Sequence, residues 1–216
     1  MIKNDIQLKK EVEQELSWDP KINAAQIGVT VENGVVCLRG DVDSYAELWA
    51  AEDATKRVNG VRTLAQELRV KILDGDKRDD SDIAAAVQSA LKWDVFVPNS
   101  VTAKVTNGTV TLEGEVPWNF ERDAAEKAVR HLTGVMSVCN SISLKPQVSN
   151  EMVKEKVQAA LQRQAKTDAH SIKIETSGGT VTLSGHASSW QSIEDASNAA
   201  WAAPGVTDVV QHISLR

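Results

Sequence analysis

The sequence predicts an α+β protein of three tandem αββαβ modules, each a three-stranded mixed sheet with two helices packed on one face. Three observations carry this prediction. A hairpin with one apolar face occurs three times. The glycines Gly34, Gly40 and Gly60 recur 74 residues on as Gly108, Gly114 and Gly134, then 71 further on as Gly179, Gly185 and Gly205. A stripe of apolar residues four apart precedes each hairpin, and a helix rich in small residues follows it. The module boundaries implied are 1–73, 79–145 and 149–216.

Each first helix is predicted from its buried stripe: Leu8, Val12 and Leu16, then Ile83, Val87 and Leu91, then Val153, Val157 and Leu161. Short polar residues stand ahead of each stripe, at Asn4 or Asp5, at Asp79 or Asp80, and at Ser149, where they can accept from free first-turn amides. A loop then leads to the hairpin, closed by Asp19-Pro20 in the first copy and by Val97-Pro98 in the second.

A two-residue turn at Asn33-Gly34 pairs Val31 with Val36, Val29 with Leu38 and Ile27 with Gly40, which keeps one face apolar. A turn at Asn107-Gly108 likewise sets Val105 opposite Val110, Ala103 opposite Leu112 and Val101 opposite Gly114. A turn at Gly178-Gly179 sets Ile174 opposite Leu183. Both dipeptides tolerate the two positive φ angles of a type I′ turn.

The second helix opens on Ser44 with Glu47 three residues later, a capping box that the other two copies keep only in part. Its inward positions are Ala51, Ala54 and Val58, then Ala125, Ala128 and Leu132, then Ala196, Ala199 and Ala203, small enough for the helix to lie close on the sheet. Gly60, Gly134 and Gly205 are expected at the left-handed C′ position, each followed by a valine that leads into the third strand. Polar residues such as Thr102, Lys104, Thr106 and Glu113 alternate with the apolar ones, so the outer face of the sheet is expected to meet water. Gln66, Asn140 and Gln211 share the parity of the inward residues, and a role in satisfying nearby backbone groups is expected of them.

Charge narrows the partners. Residues 1–73 carry 10 basic and 12 acidic residues, residues 74–148 carry 8 and 11, and residues 149–216 carry 6 and 7, so no module is basic. That composition argues against nucleic acid and removes the simple electrostatic route to an anionic membrane. No stretch is long and apolar enough to span a bilayer. With a charged helix directly after Met1, the chain as it stands is expected in the cytoplasm. A native signal sequence ahead of it would place it in the periplasm. Cys37 and Cys139 lie in different modules and are expected as reduced thiols on the polar sheet face.

The phrases Gly34-Val-Val-Cys-Leu-Arg-Gly40 with Gly60-Val61, Gly108-Thr-Val-Thr-Leu-Glu-Gly114 with Gly134-Val135, and Gly179-Thr-Val-Thr-Leu-Ser-Gly185 with Gly205-Val206 resemble the BON domain, in three tandem copies. Trp201-Ala-Ala-Pro-Gly-Val206 is a further phrase of that kind. The family is named for bacterial osmotically inducible and nodulation proteins. The resemblance implies a bacterial, non-enzymatic binding module, proposed for phospholipids and found in periplasmic stress or envelope proteins.

No catalytic residue, metal ligand set or cofactor site is expected: the chain has no nucleophile elbow, zinc-protease helix, Cys-x-x-Cys or phosphate loop. The histidines His131, His170, His186 and His212 share no spacing that would join two on a metal. Ser177-Gly178-Gly179 reads as a hairpin tip, since no helix follows it. The candidate structural-turn residues are the nine glycines named above. The candidate interface residues are Trp18, Trp93, Trp118, Phe120, Trp190 and Trp201, with packing within or between modules as the competing account. The leading expectation is a binding or scaffold protein acting through protein partners. Its rival is a phospholipid-binding or osmotic-protective protein, and the oligomeric state is left open.

Overall fold

The computed structural model describes residues 4–145, 172–203 and 205–215. Asn4 starts the first helix by accepting the Ile6 N–H on its side-chain oxygen at 3.0 Å, and α1 (Asp5–Trp18) follows with Leu8, Val12 and Leu16 buried. The chain then forms β1 (Ile27–Glu32) and β2 (Val35–Val42), an antiparallel pair in which Val31 faces Val36, Val29 faces Leu38 and Ile27 faces Gly40. At the turn both Asn33 (φ 53°) and Gly34 (φ 78°) are left-handed, as a type I′ hairpin requires. Helix α2 (Tyr45–Arg57) crosses the sheet and delivers β3 (Thr63–Val70) parallel to β2, giving the order β1-β2-β3.

The second copy repeats this course as α3 (Asp80–Trp93), β4 (Thr102–Thr106), β5 (Thr109–Val116), α4 (Asn119–Val129) and β6 (Ser137–Leu144). The third contributes β7 (Ile172–Ser177), β8 (Thr180–Ala187), α5 (Trp190–Trp201) and β9 (Asp208–Leu215). Both sheets place the middle strand of the sequence at the centre, in the orders β4-β5-β6 and β7-β8-β9. The expected first helix of the third copy, with Ser149, Val153, Val157 and Leu161, lies outside the described residues, as does His170.

The central strands hold the cores. Val36 and Leu38, Val110 and Leu112, and Val181 and Leu183 are all fully buried. Ala51 and Ala54, Ala125, and Ala196 and Ala199 on the second helices are buried too, and in the third copy Ala196 and Ala199 pack in one cluster with Val181 and Leu183, where methyl groups set how closely helix and sheet approach. In the second copy Val129 is buried while Ala128 and Leu132 are half-buried, one helical position away from expectation. Ala103 is exposed, its methyl too short to fill the place that Val29 fills in the first copy. By compactness the chain divides into two units: Met1–Trp93 with Ala103–Leu112 and Glu126–Cys139, and Asp94–Thr102 with Glu113–Ala125 and Asn140–Arg216.

Two turn expectations need correction. Helix α2 ends at Arg57, with Val58 as its C-cap, so Gly60 lies beyond the C′ position. It instead occupies the third place of a turn closed by Val61 N–H donating to the Val58 carbonyl at 3.4 Å. The equivalent bonds from Val135 to Leu132 (3.2 Å) and from Val206 to Ala203 (3.4 Å) place Gly134 and Gly205 likewise. With φ of 108°, 91° and 89°, these glycines meet the demand of a type II turn at its third residue. In the third hairpin only Gly178 is left-handed, at φ 59°, which is the signature of a type II′ turn and not of type I′. What demands a small residue at Gly179 is space, because a Cβ there would run into Thr207 and the Gly205 carbonyl.

A contact between elements far apart in sequence repeats in the first two copies. The Asp5 carboxylate accepts from the turn amides of Asn33 and Gly34 at 2.7 and 3.1 Å, and Asp80 accepts from those of Asn107 and Gly108 at 2.7 and 2.9 Å. One side chain thus ties the start of the first helix to the hairpin tip.

Candidate functional site

Helices α1 and α3 both end in an exposed tryptophan. Trp18 is 87 % exposed and Trp93 84 %, at equivalent places in the repeat. The aspartate that follows each explains the position. Asp19 accepts from the Lys21 N–H at 3.0 Å and Asp94 from the Phe96 N–H at 2.9 Å, and these side-chain turns bend the backbone away just past the indole. After Trp93 the loop also leaves Val95 and Phe96 exposed.

A second feature lies in the unit that contains the start of α4 and all of α5. The three copies of the capping box differ there. In α2, Ser44 Oγ accepts from the Glu47 N–H at 3.1 Å, while the buried Glu47 carboxylate reaches the Asp43 and Asn23 amides at 2.8 and 2.6 Å. Ahead of α5, Ser189 keeps the serine half, accepting from the Ser192 N–H at 3.2 Å. Ahead of α4 only the acid half remains: Glu121 accepts from the Trp118 N–H at 3.1 Å. Trp118 therefore stands where the other copies have a capping serine.

Trp118, Asn119, Phe120 and Asp123 line one side of a groove of about 440 Å³, and Asn198, Trp201 and Ala202 line the other. Phe120 also meets Phe96 edge to face, with ring centroids 6.2 Å apart. The Arg122 guanidinium lies over the Trp201 ring, with Cζ 4.9 Å from its centroid. Asn119 is only 7 % exposed; its Nδ2 donates to Asp123 Oδ2 at 2.9 Å, and its Oδ1 is buried without a hydrogen-bond partner.

The structure thus brings Trp118, Phe120 and Trp201 together, while Trp190 is half-buried and does not line the groove. Trp49 is stacked by Arg130, with Cζ 4.8 Å from its centroid, and Lys56 lies 6.0 Å away. Asn119, Asp123 and Asn198 carry the polar part of the groove and escaped the sequence reading. Only the i, i+4 spacing of Asn119 and Asp123 could have signalled their pairing.

The inward amides take two kinds of partner. Asn140 Nδ2 donates to the Arg122 carbonyl at 3.1 Å, and Gln211 Nε2 donates to the Ser197 hydroxyl at 2.9 Å. On the outer sheet face, a hydrogen bond and ion pair with Arg39 at 2.7 Å holds the Glu67 carboxyl below the usual glutamate range. Ser214 Oγ and His186 Nδ1 share a 2.6 Å hydrogen bond there, and both residues are exposed. Cys37 is half-buried, Cys139 is exposed, and neither forms a disulfide. Among the described residues no group of His, Cys, Asp and Glu could hold a metal ion, and no helix is long and apolar enough to cross a membrane.

Osmotically-inducible protein Y of Escherichia coli (strain K12) is 29 % identical over 147 residues, covering 66 % of this chain and 73 % of that protein. Among solved structures, the C-terminal domain of CdsD, the structural protein of the Type III secretion system of Chlamydia trachomatis, aligns over 99 % of this chain and 100 % of its own. Its identity is 12 % and its TM-score 0.28. The periplasmic domain of the T3SS inner membrane protein PrgH from S. typhimurium aligns over 89 % and 95 %, at 12 % identity and TM-score 0.24. Scores that low support no argument about fold or function. The BON domain matches over residues 4–72, 79–146 and 149–216, nearly the whole chain, and the protein belongs to the BON domain family with three tandem copies of the domain.

Proposed function

We propose that this chain is a non-catalytic binding or scaffold protein of a bacterial stress or envelope system, acting through protein partners, with its modules at 1–73, 79–145 and 149–216. The observation that carries this reading is the pair of exposed indoles, Trp18 and Trp93, each followed by the same Asx turn in two copies. Large apolar side chains left in water at matching sites mark a contact surface. The relation to osmotically-inducible protein Y supports the association with stress. A protein partner is favoured over a lipid surface because every module is net acidic, so an anionic membrane offers no overall electrostatic attraction.

The test is site-specific photo-crosslinking from positions 18 and 93 in cells after osmotic upshift, with the exposed Lys104 position as control, beside flotation of the purified chain with phosphatidylglycerol vesicles. Protein adducts from positions 18 and 93 but not from 104, together with no flotation, are expected. Flotation that disappears in Trp18→Ala and Trp93→Ala, without protein adducts, would promote the phospholipid-binding reading in its place.

A further inference from the structure

We propose that the groove between the first turn of α4 and the last turn of α5 is a binding site for a primary ammonium group. The argument begins with Asn119. Its amide N–H is already given to Asp123 at 2.9 Å, and reversing the amide would turn its oxygen toward a carboxylate, so the orientation is set. Its Oδ1 is then a buried acceptor without a donor, in a residue 93 % removed from solvent that lines a groove of about 440 Å³. A buried acceptor in that state favours any occupant that brings an N–H or O–H.

The remaining lining narrows the class. Asp123 supplies negative charge, and Trp118, Phe120 and Trp201 supply aromatic faces, which attract cations through their quadrupole. Trp201 already carries one cation, Arg122, on its ring. A neutral alcohol would satisfy Asn119 but gain little from the carboxylate or the rings. A quaternary ammonium would suit the rings but has no N–H for Asn119. An anion would meet Asp123. A primary ammonium satisfies all three kinds of group, and the net acidity of the second and third modules agrees with a cationic occupant. The site is independent of Trp18 and Trp93, so its failure would leave the protein-partner reading untouched.

The experiment is a titration of the ¹⁵N-labelled full chain at fixed ionic strength and neutral pH, following the indole N–H signals of Trp118 and Trp201. The ligands are n-butylammonium, Nα-acetyl-lysine methylamide, tetramethylammonium and butanol. Saturable shifts with the two primary amines are expected, at least tenfold weaker with tetramethylammonium and butanol. The same tenfold loss is expected in Asp123→Asn, which keeps shape and an acceptor for Asn119, and in Asn119→Leu. If the lysine compound binds more tightly than butylammonium, the occupant is a side chain of a partner; the reverse order points to a free amine. Equal binding of tetramethylammonium, non-saturating shifts, or unchanged affinity in Asp123→Asn would each overturn the proposal.

Discussion

Replacing Asp80 with alanine removes the carboxylate that holds the Asn107 and Gly108 amides at 2.7 and 2.9 Å, and with it the tie between α3 and the hairpin tip. Hydrogen bonds to a charged group contribute about 1.5–3 kcal/mol each when well shielded. Asn107 is exposed and the turn is only partly covered, so the pair together is placed at about 2 kcal/mol. Asp80 is also an acid in the first turn of its helix, which adds roughly 0.3–1 kcal/mol through the helix dipole. Asp82→Ala removes only that second part, since Asp82 shares the first turn but is exposed. The difference between the two variants isolates the tie. Native-state hydrogen exchange is the assay. A loss of about 2 kcal/mol corresponds to roughly 30-fold faster exchange of the Asn107 and Gly108 amides, if they exchange through local opening. Asp5→Ala should act in the same way on Asn33 and Gly34. Equal protection of these amides in Asp80→Ala and Asp82→Ala would refute the reasoning.

Gly108→Val should destabilise its module by at least about 1 kcal/mol, because a β-branched residue at φ 72° is strained, and a denaturation midpoint equal to wild type would contradict this. Gly114→Ala should be more damaging than a typical Gly→Ala change, since a Cβ there collides with the Ser100 carbonyl; differential scanning calorimetry reads the loss. Both thiols should react with Ellman's reagent in the native chain, Cys139 faster than the half-buried Cys37, and a native count of zero under non-oxidising conditions would refute their separation. Asp79 accepts from the backbone of Asp82, which holds its carboxyl below the usual aspartate range. Its contribution is therefore present above the ordinary aspartate pKa of about 3.9 and lost as pH falls through the lowered value, so an NMR titration midpoint in the ordinary range would oppose the assignment.

The hairpins were legible because two independent signals agree in them: turn dipeptides that tolerate left-handed backbone, and an alternation that leaves the inward residues apolar except Thr176, opposite Val181. The Val29–Leu38 and Ile174–Leu183 pairings follow from counting outward from the turn. Helix stripes such as Ile83, Val87 and Leu91 were legible for the same reason, since burial on one face leaves a period in the sequence. Turn chemistry was less so. A glycine after a helix fits both a C′ cap and the third place of a type II turn, and only the bond from Val61 to Val58 separates them. The Asp80 tie joins groups 27 residues apart and leaves no local pattern. The groove was legible only as a surplus of tryptophan, because its two walls come from helices in different copies of the repeat. Its polar residues, Asn119, Asp123 and Asn198, are ordinary choices for exposed helix positions, and Asn198 stays exposed while the fold buries Asn119 and half-buries Asp123.

The place of Trp118 has a consequence for how the repeats have diverged. Ser44 and Ser189 open the corresponding helices and cap them, whereas an indole cannot accept the amide that a serine oxygen would. The equivalent amide, the Glu121 N–H, donates instead to the Trp118 carbonyl at 3.2 Å, so the missing serine oxygen costs about 0.5 kcal/mol, the low end for a cap, and the middle copy still carries a locally inferior residue at its helix start. Such a residue persists where something other than folding selects it. Trp118→Ser should raise the melting temperature of the chain while removing one wall of the groove, and at this position thermal robustness and recognition are in direct competition.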